Sequence, residues 1–357
     1  MLPPFPPKLH LAETPTALRP LDRISAALGG PRIWLKCDDL TGSLVSGNKV
    51  RKLEFLLADA LAKGCDTVIT CGGLQSNHCR ATAALCARLG LKCHLILRGS
   101  PDMEEGDTPY SPGALYPEGS DGNLLLGTLC GATVSVYSPK HYAQQQQALF
   151  AHWQQHYQAR GAKAYAIPTG GSNGLGLWGY IDTARELQAD FLANDINPEL
   201  IVCATGSGGT QGGLTLGMHL LNASCQVIGM AVCDSERYFH DKIVADVAEW
   251  QTQFLPQSND LADALAVNTN AHYIGPGYAL GYPELFETIA WLAREEGVVL
   301  DPVYTGKAFH GLCEEIKSGA LLICLTLYLF ILAASLVYSR LKRLFHSVQR
   351  VVGLSSL

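Results

Sequence analysis

The sequence predicts an α/β fold in which parallel strands are wrapped by helices, and three observations carry that expectation. Short apolar runs alternate with amphipathic stretches, glycine or a polar residue closes several of the runs, and the composition allows a large core. Of 357 residues, 48% are hydrophobic and 16% charged, which suits one large domain or two lobes of ordinary size. The 36 glycines are scattered between apolar runs, not gathered in a repeat, as many tight strand-to-helix turns require.

The elements follow in order. A proline-rich opening, MLPPFPPKLH, reads as an extended lead-in. Ile33 to Lys36, Thr67 to Cys71, Lys92 to Leu97, Ala164 to Pro168, Leu200 to Ala204 and Val227 to Val232 read as buried strands. Between them, Leu53, Leu56, Leu57, Ala60 and Leu61 line one helix face, and Ala81, Ala84, Leu85 and Leu89 line another. Parallel crossovers gather the loops at strand C-termini on one rim, where ligands sit.

Composition also excludes. The net charge of -6, with no basic stripe or arginine-rich arm, argues against nucleic acid. The 12 cysteines contain no C-x-x-C pair, and residues such as Cys93, Cys203 and Cys233 sit inside apolar patterns, as reduced thiols in a cytoplasmic protein would. No basic segment followed by an apolar run opens the chain, so no secretory signal is expected.

A composition break falls near Ser318. No charge occurs from Ser318 to Ser339, and Arg340, Lys342, Arg343 and Arg350 follow. The apolar run over 320–338 has the length of a membrane span, which takes about 20 residues. Three readings stand: a membrane anchor with its basic tail in the cytosol, an alternative or erroneous end of the reading frame, or a soluble apolar helix over an exposed sheet.

Five segments carry chemistry. In S-G-N-K-V-R-K-L-E-F, Ser46 to Phe55, Lys49 falls at a helix N-terminus. There the dipole disfavours the ammonium form and favours the free amine that a Schiff-base lysine needs. The same string would also suit a solvated basic turn. In C-G-G-L-Q-S-N-H, Cys71 to His78, Ser76 and Asn77 open a helix, where capping alone would account for Ser76. His78 and Cys79 lack metal-ligand spacing, so no metal is expected.

In A-T-G-S-G-G-T-Q-G-G, Ala204 to Gly213, glycines with Ser207 and Thr210 at a helix entrance form a nest of donors suited to a phosphate. A tight glycine turn without a ligand is the plainer alternative. I-P-T-G-G-S-N, Ile167 to Asn173, is another glycine-rich strand end. D-P-V-Y-T-G-K, Asp301 to Lys307, places Tyr304 where a loop enters a helix.

In this order, the five segments resemble the pyridoxal 5'-phosphate (PLP) enzymes of the D-cysteine desulfhydrase and 1-aminocyclopropane-1-carboxylate deaminase family, over residues 8–319. The resemblance implies a two-lobed tryptophan-synthase-β-like fold and commonly a homodimer. Residues 1–48 would open the larger lobe, 49–165 would form the smaller lobe, 166–319 would complete the larger, cofactor-binding lobe, and 320–357 would be an atypical tail. It implies that Lys49 carries the cofactor and that Asn77 bonds its phenolic oxygen. Gly206, Ser207, Gly208, Gly209 and Thr210 would cradle its phosphate. Ser76, Asn77, His78, Gly171 and Ser172 would receive substrate, and Tyr278, in G-P-G-Y-A-L-G-Y, and Tyr304 match the family's two active-site tyrosines.

The implied reaction is sulfide elimination from D-cysteine to give pyruvate and ammonia. The family's deaminases carry glutamate after the D-P-V-Y tyrosine. Here Thr305 follows, a neutral partner on the cofactor side that favours desulfhydrase over deaminase. An L-cysteate sulfo-lyase shares much of this pattern. A membrane-tethered PLP-binding protein without turnover is the reading of another class. The sequence departs from the family after Gly311 to Leu321, where a last strand and a Thr-Gly-Gly turn are expected. The apolar run stands there instead, so an apolar C-terminal helix is expected to replace the strand.

Overall fold

The computed structural model describes residues 2–99, 108–110, 121–257, 261–321 and 326–331. Along the chain come β1 (Leu18–Pro20), α1 (Asp22–Leu28), β2 (Arg32–Cys37), α2 (Lys49–Ala62), β3 (Thr67–Gly73), α3 (Asn77–Leu89) and β4 (Lys92–Arg98). Next are β5 (Thr108–Tyr110), α4 (Gly122–Leu129), β6 (Thr133–Tyr137), α5 (Pro139–Gln158), β7 (Ala164–Ile167), α6 (Trp178–Ala193), β8 (Leu200–Thr205) and α7 (Gly209–Leu220). Then follow β9 (Gln226–Ala231), α8 (Glu236–Phe254), α9 (Leu261–Ala264), β10 (Asn268–Asn270), α10 (Pro283–Glu296), α11 (Thr305–Lys317) and β11 (Thr326–Ile331).

Two sheets result. One runs β1-β2-β11-β8-β9-β10 and the other β5-β6-β4-β3-β7. Pairing is parallel except at one edge of each, where β1 meets β2 and β5 meets β6 antiparallel. All six strands expected from apolar runs are present, with ends shifted by a residue or two. Both faces of such strands are covered by helices, which explains near-continuous apolar stretches such as the wholly buried Leu200–Thr205. Ile33, Leu35, Val202, Leu214, Met218, Phe309 and Leu312 belong to the core of the six-stranded sheet. Val50, Leu53, Val68, Leu85 and Leu95 belong to that of the five-stranded sheet.

One expectation is corrected. Thr326–Ile331 is not helical but a parallel strand between β2 and β8, with Tyr328 opposite both Trp34 and Ile201. Without it, β2 and β8 would each leave a row of backbone donors and acceptors unpaired in the sheet interior. A short apolar run cannot distinguish buried strand from helix by periodicity, and TLYLFI has the β-branched and aromatic content of a strand. Residues 322–325 and 332–357, which hold 11 of the 19 residues of the supposed span and all of the basic tail, lie outside the described residues. Among the described residues, no helix is long and apolar enough to cross a membrane.

Candidate active site

The C-terminal ends of β3, β8 and β9 open onto one cavity of about 510 Å³. Lys49 lies on its wall as the first residue of α2. The helix is anchored from behind. The buried Arg51 guanidinium holds Asp38 through two hydrogen bonds of 2.9 and 2.7 Å, and donates to Glu186 Oε2 at 2.8 Å. Lys49 is thereby turned toward the cavity, where its Nζ donates to Asn48 Oδ1 at 3.1 Å. Asn48 Nδ2 in turn donates to Thr210 Oγ1 at 2.9 Å, tying the start of α2 to that of α7.

Burial lowers the Lys49 amine to about 8, against the opposing pull of the Asp301 carboxylate. The larger cause of the lowered basicity is thus loss of solvent. The helix-end position alone was the sequence argument. The basic-turn reading of N-K-x-R-K fails outright, because Arg51 and Lys52 are both buried.

The glycine turn before α7 forms another wall of the cavity. Gly208 has φ +80° and ends the loop into the twelve-residue α7. Few side-chain-bearing residues adopt that conformation. Gly206, Ser207, Gly208 and Thr210 line the cavity, whereas the Gly209 N–H is turned to Ser172 Oγ at 3.1 Å. Ser172 Oγ also bonds Ser207 Oγ at 2.9 Å and accepts from Lys52 Nζ at 3.3 Å. A Cβ at Gly209 would lie 2.5 Å from Ser172 Oγ and 3.1 Å from Lys52 Nζ, so only glycine lets the backbone come this close.

Lys52 stands directly behind the cavity wall, on Ser172, and the sequence reading missed it. It is fully buried with no carboxylate at ion-pair distance among the described residues. Burial first, and then the nearby Lys49, hold its basicity well below that of an ordinary lysine. Its amine adds positive charge beside the N-terminus of α7. Its signal was the spacing of three from Lys49, which puts both amines on one helix face.

The third wall is the start of α3. Ser76 caps it, its Oγ accepting from the Cys79 N–H at 3.2 Å. Asn77 Oδ1 accepts from Arg80 Nη1 at 3.1 Å and Asn123 Nδ2 at 2.8 Å. These bonds fix the carboxamide and leave its nitrogen without a partner among the described residues. His78 is buried, with Nε2 on Thr70 Oγ1 at 2.8 Å and Nδ1 unpartnered. Burial, with Lys49 and Lys52 beyond it, holds this imidazole neutral. Gly171 lies behind the wall, its Cβ position 3.0 Å from Leu56 Cδ1.

The two tyrosines do meet. Tyr304 and Tyr278 are joined by a hydrogen bond between hydroxyls. The Asp301 carboxylate orients this corner, accepting from the N–H groups of Val303 at 2.9 Å, Tyr304 at 2.7 Å and Thr305 at 3.0 Å. Thr305 is placed differently from expectation. Its hydroxyl donates to Asp301 Oδ2 at 2.6 Å, and the fully buried residue is not on the cavity wall. Lys307, equally buried, donates to the carbonyls of Ile274 at 2.6 Å and Gly277 at 2.8 Å, the residues that lead into Tyr278.

An amine of lowered basicity that shares a cavity with a glycine turn at a helix entrance suits a cofactor carrying both an aldehyde and a phosphate, and these residues fit PLP. The chain belongs to the pyridoxal-phosphate dependent enzyme family, whose profile matches residues 9–326. It is 42% identical over 297 residues to the mitochondrial bifunctional D-cysteine desulfhydrase/1-aminocyclopropane-1-carboxylate deaminase of Arabidopsis thaliana, covering 80% of this chain and 68% of that one. It is 37% identical over 310 residues to D-cysteine desulfhydrase of Serratia proteamaculans, covering 86% and 88%. The crystal structure of an ACC deaminase homologue superimposes with a TM-score of 0.81 at 30% identity, covering 95% of this chain and 96% of that one.

Proposed function

We propose that this chain is a PLP-dependent lyase of the D-cysteine desulfhydrase type, which releases sulfide from D-cysteine and leaves pyruvate and ammonia. The observation that carries the reading is Lys49, an amine of lowered basicity at a helix start, sharing a cavity with the glycine turn before α7. When bound, PLP supplies an electron sink that loosens the substrate's α-proton and lets its β-substituent leave.

The chain's own residues supply the rest. The turn Gly206, Ser207, Gly208 and Thr210 holds the phosphate, with the Lys52 amine behind it adding positive charge. The Asn77 carboxamide nitrogen donates to the phenolic oxygen. Ser76 and Asn77, at the positive end of α3, receive the α-carboxylate. Lys49 Nζ moves the α-proton, and the Tyr278–Tyr304 pair holds a proton between two hydroxyls beside it.

Deamination of 1-aminocyclopropane-1-carboxylate is the second reading, because the relative from Arabidopsis thaliana bears both activities in its name. The residue after Tyr304 favours the first, since it is Thr305 where the family's deaminases carry glutamate, and its hydroxyl is turned off the cavity onto Asp301. The reading also includes a homodimer, tested by sedimentation, and the lobe division 1–48 with 166–319 against 49–165, tested by limited proteolysis. A cytoplasmic location belongs to it as well, supported by the free and mostly buried thiols from Cys37 to Cys313 and tested by fractionation. Sulfide and pyruvate release from D-cysteine should exceed ammonia release from the cyclopropane substrate and vanish in Lys49→Ala. The reverse preference would select the deaminase, L-cysteate turnover the sulfo-lyase, and cofactor binding with no turnover a binding protein.

A further inference from the structure

Arg98 ends β4 and lines the same cavity, opposite Gly73 in the strand register. No motif pointed to it. Its guanidinium carbon lies 5.3 Å from the centre of the Tyr278 ring, and Tyr278 is the residue hydrogen-bonded to Tyr304. Among the described residues it has no ion pair and no hydrogen bond. The other cations of the wall are engaged, Lys49 on Asn48 and Lys242 on Asp246. The one carboxylate on the described wall, Asp234, forms no ion pair with Arg98.

A guanidinium stays charged at any working pH, and stacking on an aromatic face leaves its N–H edge available. That edge matches a planar or multi-oxygen anion and also accepts a thiolate. Under the reading above, the glycine turn before α7, with Lys52 behind it, takes the phosphate, and the start of α3 takes the α-carboxylate. Arg98 stands beside the tyrosine pair, its guanidinium over the Tyr278 ring.

We propose that Arg98 is a specificity-determining residue, the cation that receives an anionic substituent on the substrate β-carbon, a thiolate or sulfonate. The proposal rests on the lyase reading above and narrows its substrate class. In the elimination, the Cβ–S bond breaks with its electron pair going to sulfur; a thiolate takes a proton from the Tyr278–Tyr304 hydroxyl pair and leaves as hydrosulfide, whereas a sulfonate leaves as sulfite. The Cα–H pair becomes the second Cα–Cβ bond, and the α-proton passes to Lys49 Nζ, with no oxidant or reductant needed. Arg98 offsets the charge that sulfur gains.

The test is calorimetric affinity of the PLP-loaded full chain for D-cysteate and for D-alanine, beside kcat/KM for D-cysteine and β-chloro-D-alanine. Arg98→Met should weaken D-cysteate by about tenfold or more, the loss expected for a hydrogen bond to a charged group. D-Alanine affinity should stay within about twofold, as for a change outside its contacts. Arg98→Lys should keep most of the preference for D-cysteate. D-Cysteine turnover should fall in Arg98→Met while β-chloro-D-alanine turnover holds. If Arg98→Met does not fold, Arg98→Gln carries the same comparison. Equal losses for both amino acids would assign Arg98 to the shared carboxylate and overturn the proposal, as would no loss for either. Wild-type protein that turned over no sulfur substrate would remove the lyase reading, and the affinity ratio would still judge Arg98.

Discussion

The Lys49 amine lies 6.0 Å from the centre of the Tyr304 ring, with the Asp301 carboxylate, which orients Tyr304, as the charge that opposes its deprotonation. Only the neutral amine can attack an aldehyde, and burial has brought its titration down to about 8. The rate of PLP loading should therefore rise with pH through about 8 and level off above it. Asp301→Asn removes the group that favours the ammonium form, so its midpoint should fall to lower pH. Stopped-flow absorbance measures both. A midpoint near the ordinary lysine value of 10.5 would contradict the burial.

Lys52 predicts an anion effect that needs no turnover. Inorganic phosphate should raise the melting temperature of the apoprotein, and Lys52→Met should abolish the increase. PLP affinity should fall by about tenfold or more, since the positive charge behind the turn is lost. Because the amine is buried beside other cations, the variant apoprotein without phosphate should be at least as stable as the wild type. Differential scanning calorimetry with and without phosphate separates the two effects.

Lys307 predicts loss of turnover from a residue off the cavity wall. In Lys307→Met, the carbonyls of Ile274 and Gly277 lose their donor, a cost of about 1–3 kcal/mol for each one left buried and unpaired. The loop carrying Tyr278 loosens, so kcat should fall while the phosphate effect at Lys52 persists. Steady-state kinetics and thermal melting read these together.

Arg51 and Glu186 predict acid sensitivity. Burial alone would raise the Glu186 carboxyl, but the hydrogen bonds and charge of Arg51, with Lys36 beside them, outweigh it and leave it at about 2. Its folded-state value lies below the unfolded one of 4.5, so its contribution is present above 4.5 and is lost as pH falls toward 2. That contribution is at most roughly 3 kcal/mol. Glu186→Gln should flatten this part of the stability curve in urea unfolding at pH values between 5 and 2. Arg51→Met, which strands the buried Asp38 carboxylate while Glu186 keeps Lys36, should cost about 3–5 kcal/mol at neutral pH.

Much of this was legible in the residues. Six buried strands announced themselves as apolar runs, and Lys49, Asn77, Tyr278, Tyr304 and the glycine turn before α7 do surround one cavity. What escaped was long-range. Lys52 reads like any lysine until Ser172, far along the chain, is folded against it. Asp301 is only one letter of the D-P-V-Y-T-G-K string, yet it holds the backbone of three residues after it. Thr305 was expected on the cofactor side, but the nearest strong acceptor is that same carboxylate. Arg98 ends an apolar strand and gives no local signal. β11 was hidden because its neighbours, β2 and β8, are remote in sequence, while its local run has the length and apolarity of a membrane span. The three-residue β1, β5 and β10 are too short for periodicity to show.

The most direct measurement is borohydride reduction of the PLP-loaded protein followed by peptide mapping. The account predicts a pyridoxyl group on the peptide containing Lys49 and none in Lys49→Ala, with Lys52 and Lys307 unmodified in both. A label on another lysine, or none on freshly reconstituted protein, would contradict it.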